Sequence, residues 1–221
     1  MIGNSVAHGL PSRIQSGGEE IANAVSHGVG LLLAMMAALA LVLAALQRNS
    51  VAELAAATIF GTTMVLAYLT STLYHALPIN RGKRIFRILD HGAIFLLIAG
   101  TYTPFTLGPL RGTWGWTLFG LVWGVALVGV VFSAIGGVRY PKLSTSLYIA
   151  LGWLVVVAIE PLRLNLRLPG FLWLLAGGIA YTAGVFFFAS NRLRYGHFVW
   201  HLFVLTGTAC HFAAVLWYVT D

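Results

Sequence analysis

The chain has 221 residues, 59% of them apolar and only 9% charged, with thirteen Lys and Arg against six Asp and Glu for a net charge of +7. A soluble domain carries roughly a quarter of its residues as charges, so the composition excludes one and leaves an all-α integral membrane protein. The positive excess falls between apolar runs, where it sets orientation and meets anionic lipid headgroups, and it does not indicate a nucleic-acid partner.

About 20 apolar residues cross the hydrocarbon core as a helix. Residues 1–25, with Arg13, Gly17, Gly18, Glu19 and Glu20, hold no apolar signal-peptide core and read as a short cytoplasmic amino-terminal segment, leaving the first span to direct insertion. Apolar runs follow at 26–46, 52–77, 85–107, 114–135, 145–159, 170–190 and 198–219. The fifth is short and is bracketed by Gly136-Gly137, Pro141, Pro161 and Pro169, which mark loops. With no repeat and no low-complexity linker, residues 26–221 read as one seven-helix transmembrane bundle.

Nine of the thirteen basic residues gather on one side: Arg13; Arg81, Lys83, Arg84 and Arg87; Arg139 and Lys142; Arg192 and Arg194. Arg48, Arg111, Arg163 and Arg167 fall on the other. Positive residues favour the cytoplasm, so the expected topology is a multi-pass protein of the cytoplasmic membrane with its amino terminus inside and its carboxyl terminus outside, the reverse of a G-protein-coupled receptor.

That topology brings polar residues to one depth. The second helix runs inward to Ser71 and His75, the third leaves the same side through Asp90 and His91, and the seventh begins with His197 and His201. Glu20, Asn23 and His27 approach the same level. Ionisable groups inside a membrane are costly, and several converging at one depth mark a functional site.

His197 and His201, four apart, share a helix face with about 5–6 Å between Cβ atoms, close enough to reach one divalent metal. His75, His197 and His201 make the three-imidazole set of a catalytic zinc site, whose open fourth position carries an activated water. Asp90 is the expected partner of that water and the general base. Ser71, one turn before His75, either bonds the water or a substrate carbonyl, or back-bonds to its own helix. His91 competes as a fourth ligand, with packing preferred. His211 lies about 15 Å beyond His201 by the helical rise, too far to share that metal, and reads as a hydrogen-bonded bundle histidine.

Plainer roles suit the other features. Glu53 and Glu160 are interfacial; Trp114, Trp116, Trp217 and Tyr218 fit an aromatic belt; Gly120, Gly124, Gly177, Gly178 and Gly184 are expected to allow close helix packing. Pro104 sits inside the third helix, where a kink would widen a cavity. Cys210, the single cysteine, is expected to be a small buried hydrophobe.

Several of these marks together resemble the progestin and adipoQ receptor family, in its short bacterial hemolysin-III-like branch. They are Glu20-Ile21-Ala22-Asn23 with His27, the S-x-x-x-H of Ser71 to His75, Leu89-Asp90, Gly100-Thr101-Tyr102-Thr103-Pro104, and H-x-x-x-H at His197 and His201 with His211 beyond. The resemblance spans residues 20–211. It implies a seven-helix fold with a cytoplasmic amino terminus, zinc held by His75, His197 and His201, Asp90 bonded to the metal's water, and kinship with ceramidase-like membrane hydrolases. The long amino-terminal region of the adiponectin receptors is missing, so hormone recognition is not carried over, and His91 stands where those receptors have an aromatic.

The expected function is a zinc-dependent hydrolase of a lipid amide or ester, its fatty-acyl substrate admitted laterally from the membrane, or a lipid-sensing regulator of membrane composition and fluidity. Two alternatives stand beside it: a non-catalytic protein in which zinc ties the second, third and seventh helices, and a pore of the hemolysin type. The latter has few intramembrane charges to line a polar path.

Overall fold

In hydrocarbon every backbone N–H and C=O must be satisfied within its own segment, so long apolar runs become helices. The computed structural model describes residues 15–190 and 193–219, with no strand among them. Arg13 and Arg192 lie outside the described residues. Seven helical spans are long and apolar enough to cross a membrane.

The first helix, α1 (Gly17–Gln47), starts well before its apolar run. Ser16 and Glu19 form a capping box: the Ser16 hydroxyl accepts from the Glu19 N–H, and the Glu19 carboxylate accepts from the Ser16 N–H at 2.9 Å. Glu19, Glu20 and Asn23 therefore stand on a helix, although the sequence reading placed them in a tail. The lipid-facing side of α1 exposes Leu32, Leu33, Met36, Leu39 and Leu43. A three-residue turn leads to α2 (Val51–Ala76), and α3 (Arg81–Leu107) is capped by Asn80, whose side chain accepts from the Lys83 N–H at 2.9 Å. α4 (Thr113–Ala134) follows.

The fifth span is longer than its apolar run and is broken. It comprises α5 (Pro141–Gly152), a tighter 3₁₀ stretch at Trp153–Ala158, and α6 (Ile159–Asn165). A change of helical pitch frees backbone groups, which hydrocarbon cannot solvate. Tyr102 of α3 satisfies them: its hydroxyl faces the carbonyls of Leu151 at 3.0 Å and Gly152 at 2.9 Å, and accepts from the Val155 N–H at 2.8 Å. α7 (Leu168–Ala189) and α8 (Gly196–Ala214) complete the bundle, α8 running into a π-helical turn at Val215–Val219.

α1 packs on α2 and α8, α2 on α3, α3 on α4, and α7 on α8. Phe60, Met64 and Tyr68 of α2 are fully buried at the centre. Lipid tails are as apolar as leucine, so helix pairing relies on close contact at small residues. A Cβ at Gly184 would meet Trp200 and Phe203 at 2.7 Å, one at Gly61 would meet Ala38 at 2.7 Å, and one at Gly177 would collide with the His211 ring. Gly120 and Gly124 do not share this role: nothing lies within 4 Å of where their Cβ atoms would be, so the expectation of close packing fails for them. Pro104 sits in the last turn of α3 and lines neither of the two cavities described below.

Alternation of the spans puts Arg81, Lys83, Arg84, Arg87, Arg139, Lys142 and Arg194 at one end, and Arg48, Arg111, Arg163 and Arg167 at the other. At that second end Glu53 pairs with Arg48 at 3.6 Å, Glu160 with Arg163 at 3.1 Å, and Trp114, Trp116 and Trp217 are exposed.

Candidate metal centre

α7 hands over to α8 through Tyr195, whose backbone is left-handed (φ 57°), followed by Gly196, where a Cβ would press within 3.1 Å of the Phe187 carbonyl. The Tyr195 N–H donates to the Glu19 carboxylate at 2.8 Å, tying the start of α8 to the start of α1. This anchors His197 and His201 at the same end of the bundle as His75, at the close of α2. One ligand atom from each of His75, His197 and His201 lies within 4.8 Å of the others, and no fourth metal-binding side chain joins the set among the described residues. Their ring centroids are 4.6 to 5.1 Å apart.

The surrounding hydrogen bonds select which ring nitrogens face the cluster. Glu20 accepts from His75 Nδ1 at 2.7 Å, so that nitrogen carries the proton and Nε2 keeps its lone pair. His75 Nε2 is buried and has no partner. The other Glu20 oxygen meets Lys83 Nζ at 3.1 Å, and Lys83 also donates to the carbonyls of Tyr74 and Leu77 at the end of α2. His201 Nδ1 lies 3.1 Å from Ser26 Oγ and 3.3 Å from the Asn23 carbonyl, and Ser26 in turn donates to that carbonyl. Both groups act as acceptors, which again leaves Nε2 for the cluster. A carboxylate behind His75 and a carbonyl behind His201 are the usual outer partners of metal-ligating histidines. The donor set fits zinc: three imidazole ligand atoms close together, two of the rings turned by outer partners, and an orphaned buried Nε2 on His75.

His27, which the sequence placed only near this level, stacks on His201 with centroids 3.5 Å apart and planes 9° from parallel. Its Nδ1 bonds Ser71 Oγ at 2.7 Å. Ser71 is thus held by another helix and does not back-bond to its own. The Asp90 carboxyl faces the same Ser71 hydroxyl, and Asp90 is 13% exposed. His91 donates from Nδ1 to the Arg87 carbonyl at 2.9 Å, and its own carbonyl accepts from the Tyr148 hydroxyl, which agrees with a packing role. His211 Nε2 donates to the Leu174 carbonyl at 3.1 Å, away from the trio. Cys210 is buried and free.

The roles of Glu20, Lys83, Asn23, Ser26 and His27 around the trio escaped sequence reading. Glu20, Asn23 and His27 sit at helical spacing on one face, with exposed Ile21, Val25 and Val29 opposite. That amphipathic stripe was available once the S-x-x-E cap extended α1 backward.

A cavity of about 150 Å³ opens beside the cluster, lined by Ser71, Asp90, His197 and His201 at one end and by apolar side chains such as Ile94, Leu97, Val185, Phe188 and Val204 beyond. Pro141 and Thr182 also line it and are themselves exposed, so it reaches the surface between the fifth span and α7. A second cavity of about 80 Å³ lies further along and shares part of its lining with the first.

Residues 16–212 match the sequence model of the family described as haemolysin-III related. Over 201 residues the chain is 48% identical to Hemolysin-3 of Bacillus cereus, covering 91% of this chain and 92% of that one. A Hemolysin-3 homolog of Bacillus subtilis (strain 168) is 46% identical over 200 residues, 90% of this chain and 94% of the other. The human monocyte to macrophage differentiation factor is 26% identical over 171 residues, 73% and 69% of the two chains. With the family's match extending over almost the whole seven-helix bundle and its histidine cluster, the chain belongs to the haemolysin-III-related family, the bacterial branch of the progestin and adipoQ receptor proteins.

Proposed function

We propose that this membrane protein is a zinc-dependent hydrolase of a fatty-acyl amide or ester, working at the cytoplasmic side and adjusting membrane lipid composition. The observation that carries this reading is the juxtaposition of three histidine ligand atoms within 4.8 Å with an apolar cavity whose wall includes Asp90 and Ser71. The excess of Lys and Arg at that end supports a cytoplasmic placement, with the carboxyl terminus outside.

His75, His197 and His201 would hold the zinc. Bound there, it supplies Lewis acidity and an activated water. Asp90 accepts a proton from the attacking water on its carboxylate and returns it to the leaving amine or alkoxide. Ser71, gripped by His27, holds that carboxylate in place. Glu20 fixes the Nδ1 proton of His75, and Lys83 fixes Glu20. The acyl chain enters between the fifth span and α7 and lies in the cavity, which excludes bulk water from the reacting bond.

The test is hydrolysis of long-chain acyl amides and esters by detergent-purified, zinc-loaded protein, wild type beside Asp90→Ala. Wild type should release free fatty acid, while Asp90→Ala should keep its zinc and lose activity by 10²–10⁴-fold, the range of a general base. Equal hydrolysis by the two proteins with zinc retained would end the catalytic reading.

A further inference from the structure

The cavity beside the histidines does not end with its own apolar wall. A second chamber shares with it Thr101, Tyr102, Gly152, Trp153, Gly178 and His211, which together form a neck between the two. Beyond the neck the lining is apolar: Phe105, Leu110, Val155, Leu162 and Phe171. Of the polar groups at the neck, Tyr102 is engaged by the broken backbone of the fifth span and His211 by the Leu174 carbonyl through Nε2, which leaves the buried His211 Nδ1 as an unpartnered polar atom there. Past His211 the outer chamber is walled by hydrocarbon side chains and suits hydrocarbon.

The neck has two unlike sides, an indole and a glycine. Trp153 begins the 3₁₀ stretch, and its indole N–H donates to Thr182 Oγ1 of α7 at 3.0 Å, which fixes the ring across the gap. Opposite it stands Gly178, where a Cβ would touch the indole ring at 3.7 Å, an ordinary contact. A side chain longer than a Cβ at 178 would extend past that contact into the lining the two cavities share, whereas the space at the neighbouring Gly177 is filled by the His211 ring.

Depth gives the neck a meaning. His211 is ten residues beyond His201 on α8, or about 15 Å at 1.5 Å per residue. An extended chain advances roughly 1.2 Å per bond, judged from about 3.3–3.6 Å for the three backbone bonds of a residue. A fatty acid with its carboxyl at the histidines therefore reaches the neck after about a dozen bonds.

We infer that the neck of Trp153 and Gly178 is a chain-length selector, with the outer chamber receiving the distal end of acyl chains longer than about a dozen carbons. This rests on the reading that the cavity holds an acyl chain. Burying further methylenes past the neck adds affinity for long chains alone, and a side chain at 178 removes that gain while leaving short chains untouched.

The experiment measures binding of decanoate, laurate, myristate, palmitate and stearate to full-length, zinc-loaded protein in one detergent, for wild type and Gly178→Leu. The ratio of the two affinities at each length cancels partition into the micelle. It should stay near unity through laurate and rise for palmitate and stearate to about tenfold or more, since each buried methylene is worth about fourfold. A ratio that is flat across the series overturns the selector while leaving the acyl-chain reading intact. If no fatty acid binds wild type, the acyl-chain reading itself falls and the selector with it. Should Gly178→Leu not retain zinc, Phe171→Trp fills the outer chamber from its far end, where it must weaken stearate more than laurate; equal weakening likewise overturns the inference.

Discussion

His201 and His211 stand on the same helix, both buried at 1% and 7% exposure, yet they are built for different work. His201 has its Nδ1 occupied by Ser26 and the Asn23 carbonyl from α1, and its ring meets His75, His197 and His27. His211 uses Nε2 on one backbone carbonyl of α7 and packs against Tyr181, with no second histidine beside it among the described residues. A buried imidazole is suited to hold a metal when a neighbouring helix ties down one nitrogen and two more imidazoles face the other. The residue type is the same at both places; the company differs.

The largest effect that separates the two is metal content. Alanine at His75, or at His197 and His201 together, should abolish zinc in purified protein, whereas His211→Ala should leave it unchanged; zinc lost equally in all of these would erase the distinction. The outer partners come next. Glu20→Gln removes the carboxylate behind His75, and zinc affinity measured by chelator competition should fall about 10–100-fold. An unchanged affinity would mean that Glu20 serves only as a counter-ion to Lys83.

Stability sharpens the same contrast between a crowded and an open helix surface. Gly184→Ala drives a Cβ into Trp200 and Phe203 of α8, the helix of His197 and His201, and should cost about 1–3 kcal/mol in thermal or denaturant unfolding. Gly124→Ala meets nothing and should stay within about 0.5 kcal/mol of wild type. Of the effects on zinc affinity the smallest is expected at Ser26: alanine there leaves the Asn23 carbonyl for His201 and should weaken zinc binding by about 0.5–1.5 kcal/mol, one hydrogen bond.

How much of this was legible depended on the range of the interactions. The seven spans follow from local hydropathy, and the meeting of His75, His197 and His201 from four-residue spacing combined with alternating topology. The starts of α1 and α3 were placed too late, because charged residues at a helix end look like a loop until a cap such as Ser16 with Glu19 is read as helix. The break in the fifth span depends on Tyr102, about 50 residues away in sequence, and no local pattern announces it. The pairing of Glu20 with His75 and the stacking of His27 on His201 likewise require knowing that α1 begins against the end of α2 and the start of α8. Gly120 and Gly124 carry the same small-residue signal as Gly177 and Gly184; only their neighbours tell them apart.

The most direct test of the metal centre is zinc-edge X-ray absorption, with elemental analysis, on detergent-purified wild type beside the His197→Ala, His201→Ala double variant and His211→Ala. Near-stoichiometric zinc bonded to three imidazoles and one further oxygen ligand, absent from the double variant and intact in His211→Ala, is the predicted result. Wild type without zinc, or zinc that survives the double variant, would contradict it and return His75, His197 and His201 to the same packing role as His211.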